Sequence, residues 1–298
     1  MHNHWFRRTG ALASAVVLAL AVFLVGVWAG RSSAQDQSAI STLPTVPSTA
    51  PSTTAALPAP EPRVIIYGDS LSTQAEPYIQ IVSRALGLHV EVRALGGTAP
   101  CDFVDRLDED IAAKRLDLAV WAFSGNSIGS CMLGPDGKPL TAQALFDKYH
   151  DDTERAIDAA EKAGVLFVLA SPPAPHLPGD VWEQLDSVYR WLAAAHPRIQ
   201  YADAGVAISP DGQFVDTQRC LPFEQRIPQA REACDAANGT IAVRGSDGHF
   251  CPVPTTTGSL ECAMYSSGAM RYAINLLQAA RLELDYQAQV AAGNIPPP

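Results

Sequence analysis

Positive charge is scarce in this 298-residue chain, in which 21 Lys and Arg stand against 31 Asp and Glu and leave a formal net charge of −10. No run of Lys or Arg forms the positive surface that a phosphate backbone requires, so nucleic acid is not expected as a partner. Charged residues make up only 17% of the chain, whereas hydrophobic residues reach 47%. That apolar content excludes a wholly disordered chain and is sufficient for a sizeable core.

Metal-ligand spacings and internal repeats are also missing. All six cysteines lie between Cys101 and Cys262, without a CxxC pair and without a His/Cys cluster at zinc-ligand spacing. The absence of repeats leaves a fibrous or purely structural protein without support. The sequence therefore implies neither a metal nor an organic cofactor.

The N-terminus contains a long apolar segment, 9–30, which follows Arg7 and Arg8 and carries no charge. As a helix it would span roughly 33 Å, the thickness of a bilayer core. We expect a single transmembrane anchor there, with residues 1–8 in the cytoplasm and the rest of the chain outside the cell. A cleaved signal peptide is the alternative, since small residues at 32–34 would allow cleavage. Under both hypotheses the remainder of the chain is exported from the cytoplasm.

Export makes three disulfides the simplest interpretation of six cysteines, among 15 alternative pairings that the sequence leaves open. Residues 31–62 are predicted to be a linker, because Ser, Thr, Pro and Ala dominate from Gln35 onward. If its prolines keep it extended, this linker could reach on the order of 85 Å. The following domain could therefore stand well clear of the membrane.

Short apolar strands alternate with helical patterns beyond the linker. The predicted strands are 63–67, 89–95, 116–123, 165–170 and a weak one at 199–202, and the predicted helices are 74–86, 102–115, 140–162, 180–195 and 266–284. This alternation predicts one α/β domain over 63–285, with a doubly wound parallel sheet of five strands between two helix layers. Residues 286–298 are predicted to be a flexible tail.

The first predicted strand runs into the sequence GDSL, in which Ser70 follows Gly68 and Asp69. Functional sites of parallel sheets gather at the carboxyl ends of strands, and a helix start offers N–H groups and a positive dipole end to an oxyanion. Ser70 is therefore a candidate nucleophile, which requires a base to take its proton. The alternative is that Ser70 only caps its helix and that Gly68 permits a tight turn.

The loops after the second and third predicted strands offer oxyanion donors. Gly96 and Gly97 follow the second strand and Asn126 follows the third. Because parallel strands end at one edge, their N–H groups and the Asn126 amide could converge with the N–H of Ser70. Each residue alone could equally serve its own turn.

Two of the seven histidines, His176 and His249, lie in loops where a catalytic base could sit. His249 follows Asp247 by two residues. Asp247 could accept from Nδ1 of this imidazole and leave Nε2 to deprotonate Ser70, as in a Ser/His/Asp triad. A loop or core role for His249 is the alternative.

With these residues in this order, the chain resembles the SGNH (GDSL) hydrolases, especially the extracytoplasmic SGNH domains associated with acylation of cell-envelope glycans. The resemblance covers roughly 63–285 and implies a three-layer α/β/α, flavodoxin-like fold. The roles that it implies are a nucleophile at Ser70, oxyanion donors at Ser70, Gly96 or Gly97 and Asn126, a base at His249 and an acid at Asp247.

Two blocks depart from the family pattern. The third is usually GxND, whereas this chain has Ser124 and Ser127 at the outer positions. The fifth is usually DxxH, whereas Ser246 lies three residues before the histidine and Asp247 lies two before it. The first departure predicts a differently shaped oxyanion loop. The second leaves open whether the carboxylate reaches the imidazole.

We expect a monomeric, membrane-anchored serine esterase or O-acyltransferase that acts on acyl esters of envelope carbohydrate or lipid through an acyl-Ser70 intermediate. A binding module that keeps the fold without chemistry is the alternative. The stretch 205–254 shows no long periodic segment, so disulfides are expected to fix it as a wall of the cleft, with Cys251 holding the His249 loop. Cys101 and Cys131 could pair across the mouth of the site.

Overall fold

The computed structural model of the chain describes residues 61–176, 181–253 and 262–296. The predicted anchor at 9–30 lies outside these residues, as do 1–8 and most of the linker. No helix in the described ranges combines the length and apolar character needed to cross a bilayer.

A sheet of five parallel strands forms the centre of the fold and confirms the predicted sheet. Its spatial order is β2-β1-β3-β4-β5. The strands are β1 Arg63–Gly68, β2 His89–Ala94, β3 Leu118–Ala122, β4 Leu166–Ala170 and β5 Ile199–Ala202. This order is that of flavodoxin-like sheets, and the switch in direction falls between β1 and β3, where such folds form a crevice.

Helices cover both faces of the sheet. One face carries α1 Ser70–Leu86 and α6 Ser267–Ala291, and the other carries α2 Val104–Ala112, α3 Ala142–Ala163 and α4 Val181–Ala195. Strand β1 shows why two layers are needed. Its Val64 and Ile66 enter the core beneath α1 and α6, whereas Ile65 and Tyr67 enter the opposite core. Apolar residues on both sides of a strand require cover on both faces.

The register of the sheet brings three strand ends to one level. Gly68 at the end of β1 pairs with Ala94 at the end of β2 and with Ala122 at the end of β3. The loops that leave these three strands therefore start side by side, and they carry Ser70, Gly96 and Asn126.

Helices α1 and α6 are both longer than the sequence predicts. Helix α1 begins at Ser70 instead of residue 74, because Asp69 caps it. Helix α6 continues to Ala291, so the prediction of a flexible tail is wrong for 286–291. Side-chain bonds between residues four apart continue along the helix past residue 284, as from Nε2 of Gln287 to Oε1 of Glu283 at 2.8 Å.

The stretch 205–254 is less irregular than its sequence predicts. It contains a two-stranded antiparallel sheet, β6 Thr217–Arg219 and β7 Thr240–Ala242, and the helix α5 Pro228–Ala236. These elements are too short to produce a periodic pattern. A disulfide joins Cys220 to Cys234, and a buried ion pair of 2.7 Å joins Glu224 to Arg271 of α6.

Candidate active site

Ser70 and His249 meet at the carboxyl edge of the sheet although 179 residues separate them. The Nε2 atom of His249 lies 3.0 Å from Oγ of Ser70. Ser70 is the first residue of α1 and half-buried, while His249 lies in the loop between β7 and α6. With its proton on Nδ1, the imidazole can accept the serine hydroxyl proton at Nε2. The pair therefore has the distance that a nucleophile and its general base require.

Asp69, and not Ser70, is the N-cap of α1. Its Oδ1 accepts a hydrogen bond of 3.0 Å from the N–H of Leu71. The interpretation of Ser70 as a simple cap is therefore wrong, and its hydroxyl is directed to His249 instead. Its position in the first turn still places it at the positive end of the helix dipole, where an oxyanion is stabilised.

The carboxylate of Asp69 also organises the loop that follows β3. Its Oδ2 accepts from the N–H of Ser124 at 2.8 Å, from Oγ of Ser124 at 2.5 Å and from Nδ2 of Asn126 at 3.1 Å. Asp69 is fully buried, and burial raises its pKa against the opposing effect of hydrogen bonds from Ser124 and Leu71. The hydroxyl of Ser124 thus gives this carboxylate a donor in addition to the backbone N–H.

Sequence reasoning did not single out Asp69. The available signal was its residue type, because aspartate immediately before a helix is a preferred cap. Its hydrogen bonds to Ser124 and Asn126 join positions that are 55 and 57 residues apart, and no local sequence pattern predicts such bonds.

Asn126 lies where the prediction places it, next to the nucleophile loop, but its amide is engaged inside the protein. Nδ2 lies 3.1 Å from Oδ2 of Asp69 and 3.2 Å from the carbonyl of Thr98, which accounts for both amide hydrogens. The hydroxyl of Tyr149 donates to the carbonyl of Asn126 at 3.0 Å. To donate to an oxyanion, the Asn126 amide would have to share one of these two hydrogen bonds. Its role as an oxyanion donor therefore stays a prediction.

Gly96 and Gly97 form a turn beside the end of β1. The N–H of Thr98 donates to the carbonyl of Leu95 at 3.3 Å and closes the turn. Gly97 has a φ of +82°, and a Cβ there would lie 2.8 Å from a side-chain carbon of Ile128, so only glycine fits without strain. The N–H of Leu95 donates to the carbonyl of Gly68 at 3.2 Å. This bond places the turn next to the nucleophile loop, while its oxyanion role stays a prediction.

Asp247 lies next to the imidazole without a hydrogen bond to it. Its Oδ2 is 3.4 Å from Nδ1 of His249, yet that buried nitrogen has no hydrogen-bond partner among the described residues. The other oxygen, Oδ1, accepts from the backbone N–H of His249 at 3.1 Å. The two-residue spacing therefore brings the carboxylate charge close to the imidazole of His249. The hydrogen bond that the carboxylate does accept comes from the backbone of the turn and not from the ring.

We expect Asp247→Asn to lower kcat by about 10- to 100-fold, less than the roughly 10⁴-fold typical of a fully aligned triad acid. Asparagine can keep the bond to the N–H of His249 and removes only the charge near Nδ1. Steady-state kinetics check this, with Asp216→Asn as a surface control. A fall of 10⁴-fold would mean that the carboxylate aligns with the imidazole during turnover, and unchanged kcat would exclude Asp247 as the acid.

Arg244 and a disulfide also hold the His249 loop. Nε of the buried Arg244 donates to the carbonyl of Gly248 at 2.7 Å, and burial lowers the pKa of this guanidinium to about 10. Cys251, two residues beyond His249, is bonded to Cys262. The other candidate base, His176, is exposed, and its ring contacts that of Phe214 edge to face, with the ring centroids 4.8 Å apart.

A second disulfide, Cys101 to Cys131, joins the segments that follow the two candidate oxyanion loops. Replacing both cysteines by serine should reduce stability by about 3 to 4 kcal/mol, because the bond closes a loop with a sequence separation of 30 residues in the unfolded chain. We also expect kcat to fall, since the turn of Gly97 and the loop of Asn126 lose their link.

The matched control is the Cys220/Cys234 double serine variant, whose disulfide lies in the segment of β6 and α5. It should lose stability and keep its kcat. Thermal unfolding and steady-state kinetics on both variants make the comparison, and equal kcat values would contradict a role for the Cys101–Cys131 bond at the site.

No family model matches the chain, and no curated protein matches it. Several solved structures are similar. A GDSL-like lipase from Bacteroides thetaiotaomicron has 12% identity over 74% of this chain and 88% of its own, with a TM-score of 0.47. A catalytic mutant of an acetylxylan esterase from Geobacillus stearothermophilus has 14% identity over 73% and 93%, with a TM-score of 0.46. A lipase/acylhydrolase from Enterococcus faecalis has 14% identity over 76% and 96%, with a TM-score of 0.44. The chain is similar to these proteins at low identity, so any activity has to be argued from its own site.

Proposed function

We propose that this chain is a serine esterase or O-acyltransferase that acts outside the cell on acyl esters of envelope carbohydrate or lipid, anchored by residues 9–30. The observation that carries the chemistry is the 3.0 Å contact between Oγ of Ser70 and Nε2 of His249. A hydroxyl at a helix start, paired with an imidazole at a crevice, is the arrangement that nucleophilic acyl chemistry requires.

In the first half-reaction, Oγ of Ser70 attacks the ester carbonyl carbon while His249 takes the hydroxyl proton at Nε2. The resulting oxyanion accepts hydrogen bonds from the N–H of Ser70 and from Gly96 or Gly97, with Asn126 as a further donor once its amide is shared. The bond to the alcohol oxygen then breaks, and His249 returns the proton to the leaving alcohol. Ser70 is left as an acyl ester.

In the second half-reaction, an acceptor hydroxyl attacks acyl-Ser70 and gives its proton to His249. Water as the acceptor releases a carboxylic acid, whereas a sugar hydroxyl yields a new ester on the glycan. In both outcomes the bond between Oγ of Ser70 and the acyl carbon breaks, and His249 returns the proton to Oγ, which regenerates Ser70. The resemblance to domains associated with glycan acylation and the reach of the linker support transfer.

The products separate the two outcomes. The purified extracytoplasmic segment is incubated with an acyl donor, with and without a glycan acceptor, and the mixtures are analysed by mass spectrometry. An acyl mass added to the glycan supports the transferase, and free acid alone supports the esterase. The absence of both products would contradict an enzymatic function. The Ser70→Ala variant provides the blank for spontaneous reaction.

A non-catalytic binding module is the second candidate. The observation that favours it is the engaged amide of Asn126, together with an Asp247 carboxylate that makes no hydrogen bond to Nδ1 of His249. A module of this kind would bind an envelope glycan without Ser70-dependent turnover. Equal glycan binding by wild type and Ser70→Ala, with no product from either, is its signature.

A further inference from the structure

One face of helix α1 contacts the chain around His249 through polar side chains that recur every four residues. These side chains are Ser70, Gln74 and Tyr78. Residues four apart lie above one another on a helix, so the three form a single row. The first member is the nucleophile candidate. The row of contacts therefore begins at the hydroxyl that is proposed to react.

The second member of the row binds the residue next to the base. Oε1 of Gln74 accepts a hydrogen bond of 2.6 Å from the backbone N–H of Phe250. Gln74 is 3% exposed and Phe250 is fully buried, so no water replaces this bond. One helix turn thus contacts two consecutive residues of the loop, His249 through Ser70 and Phe250 through Gln74.

The third member continues the same contact one turn further on. The hydroxyl of Tyr78 accepts from the N–H of Ser266 at 2.6 Å. Ser266 caps α6, and its Oγ donates to the carbonyl of Phe250 at 2.6 Å. Phe250 is consequently bonded on both sides of its backbone, with its N–H on α1 and its carbonyl at the start of α6.

We propose that Gln74 is a positioning residue that fixes the distance between Nε2 of His249 and Oγ of Ser70. Its kinetic consequence rests on the proposed function. Arg244 and the disulfide of Cys251 hold the loop through contacts that do not involve α1, so loss of the Gln74 bond would leave the loop in place but free to shift against α1. A displacement of about 1 Å at reacting groups can cost about 100-fold in rate.

The test removes the acceptor while keeping the length of the side chain. Gln74→Met should lower kcat by about 10- to 100-fold and leave KM within about twofold, because the substrate-binding surface is untouched. Gln74→Glu keeps an acceptor oxygen at the same reach and should regain most of the lost kcat. If Gln74→Met fails to fold, Gln74→Asn makes the same test, because it shortens the reach of the amide.

The matched control is Gln80→Met on the same helix. Nε2 of Gln80 donates to the carbonyl of Val90 in β2 at 3.3 Å, away from the His249 loop. This variant also loses a side-chain bond to a backbone group, and its kcat should stay within about twofold of wild type. A general loss of helix stability would affect both variants alike.

Hydrogen exchange at the Phe250 amide gives a readout that does not need turnover. Exchange should accelerate at least about tenfold in Gln74→Met and stay unchanged in Gln80→Met. Wild type without Ser70-dependent turnover would refute the proposed function, and exchange alone would then decide whether Gln74 anchors the loop. Unchanged exchange overturns the inference, and so does a Gln74→Met kcat within twofold of an active wild type.

Discussion

Ser70→Ala should lower the turnover of an acyl ester by about 10⁶-fold, the loss expected when a serine nucleophile is removed. The side chain is half-buried and hydrogen-bonds to His249, so the variant should fold normally. Steady-state kinetics with an activated ester, alongside thermal unfolding, check the prediction. A variant that retains a tenth of the wild-type rate would contradict nucleophilic catalysis by Ser70.

Ser72→Ala is the control within the same helix turn. Ser72 is fully buried and donates to the carbonyl of Ala122 at 3.4 Å, so its removal affects packing near the site without touching the base. It should keep most of the activity. His249→Ala should match the loss in Ser70→Ala, and the double variant should lose little more, because the two groups act as one unit.

Asp69→Ala should lower the free energy of unfolding by about 3 to 5 kcal/mol, because several buried donors would lose their acceptor, each at a cost of about 1 to 3 kcal/mol before the structure relaxes. Four hydrogen bonds from three residues end on this carboxylate, and its loss would leave Leu71, Ser124 and Asn126 with unpaired donors. Denaturant titration measures the effect. A change below about 1 kcal/mol would contradict the organising role of Asp69.

Asp69→Asn separates shape from hydrogen bonding. Asparagine is also a good helix cap, but its NH₂ group must face at least one of the donors that the carboxylate now accepts. We expect a loss of about 1 to 3 kcal/mol and a lower kcat. Asp110→Ala is the control, because Asp110 is a buried acid bonded to Tyr67 on the other face of the sheet. It should lose stability and keep its kcat.

The strands and the parallel sheet could be predicted because their signal is local. Apolar runs such as 63–67 and 165–170 are long enough to stand out between helical patterns. The spatial order of the strands could not be obtained this way, because it depends on which strands pair. That order decides which loops are neighbours at the carboxyl edge, and the pairing of Gly68 with Ala94 and Ala122 supplied it.

The identities of the candidate site residues could also be predicted from the sequence, but the hydrogen bonds between them could not. The GDSL sequence located Ser70, and the strand ends located Gly96 and Asn126. The acceptors of the Asn126 amide lie 28 and 57 residues away, and only the fold brings them within reach. The same holds for Asp247, whose spacing from His249 left the direction of its carboxylate open.

The secondary structure of the segment 205–254 could not be predicted, for a different reason. Strands of three residues and a helix of nine residues fall below the length at which periodicity can be recognised. Tertiary contacts hold them instead, since Glu224 is fully buried and bonded to Arg271 of α6. The cysteine count was the better guide here, because it predicted that disulfides fix this segment, while the pairing of Cys220 with Cys234 came only from the structure.

Labelling by a fluorophosphonate tests most directly whether Ser70 and His249 form a working pair. The probe forms a covalent bond to a serine only when a base activates the hydroxyl. Wild type should be labelled on the peptide that contains Ser70, as located by mass spectrometry, and His249→Ala should react far more slowly. Folded wild type that takes no label, or that is labelled at another serine, would contradict the account.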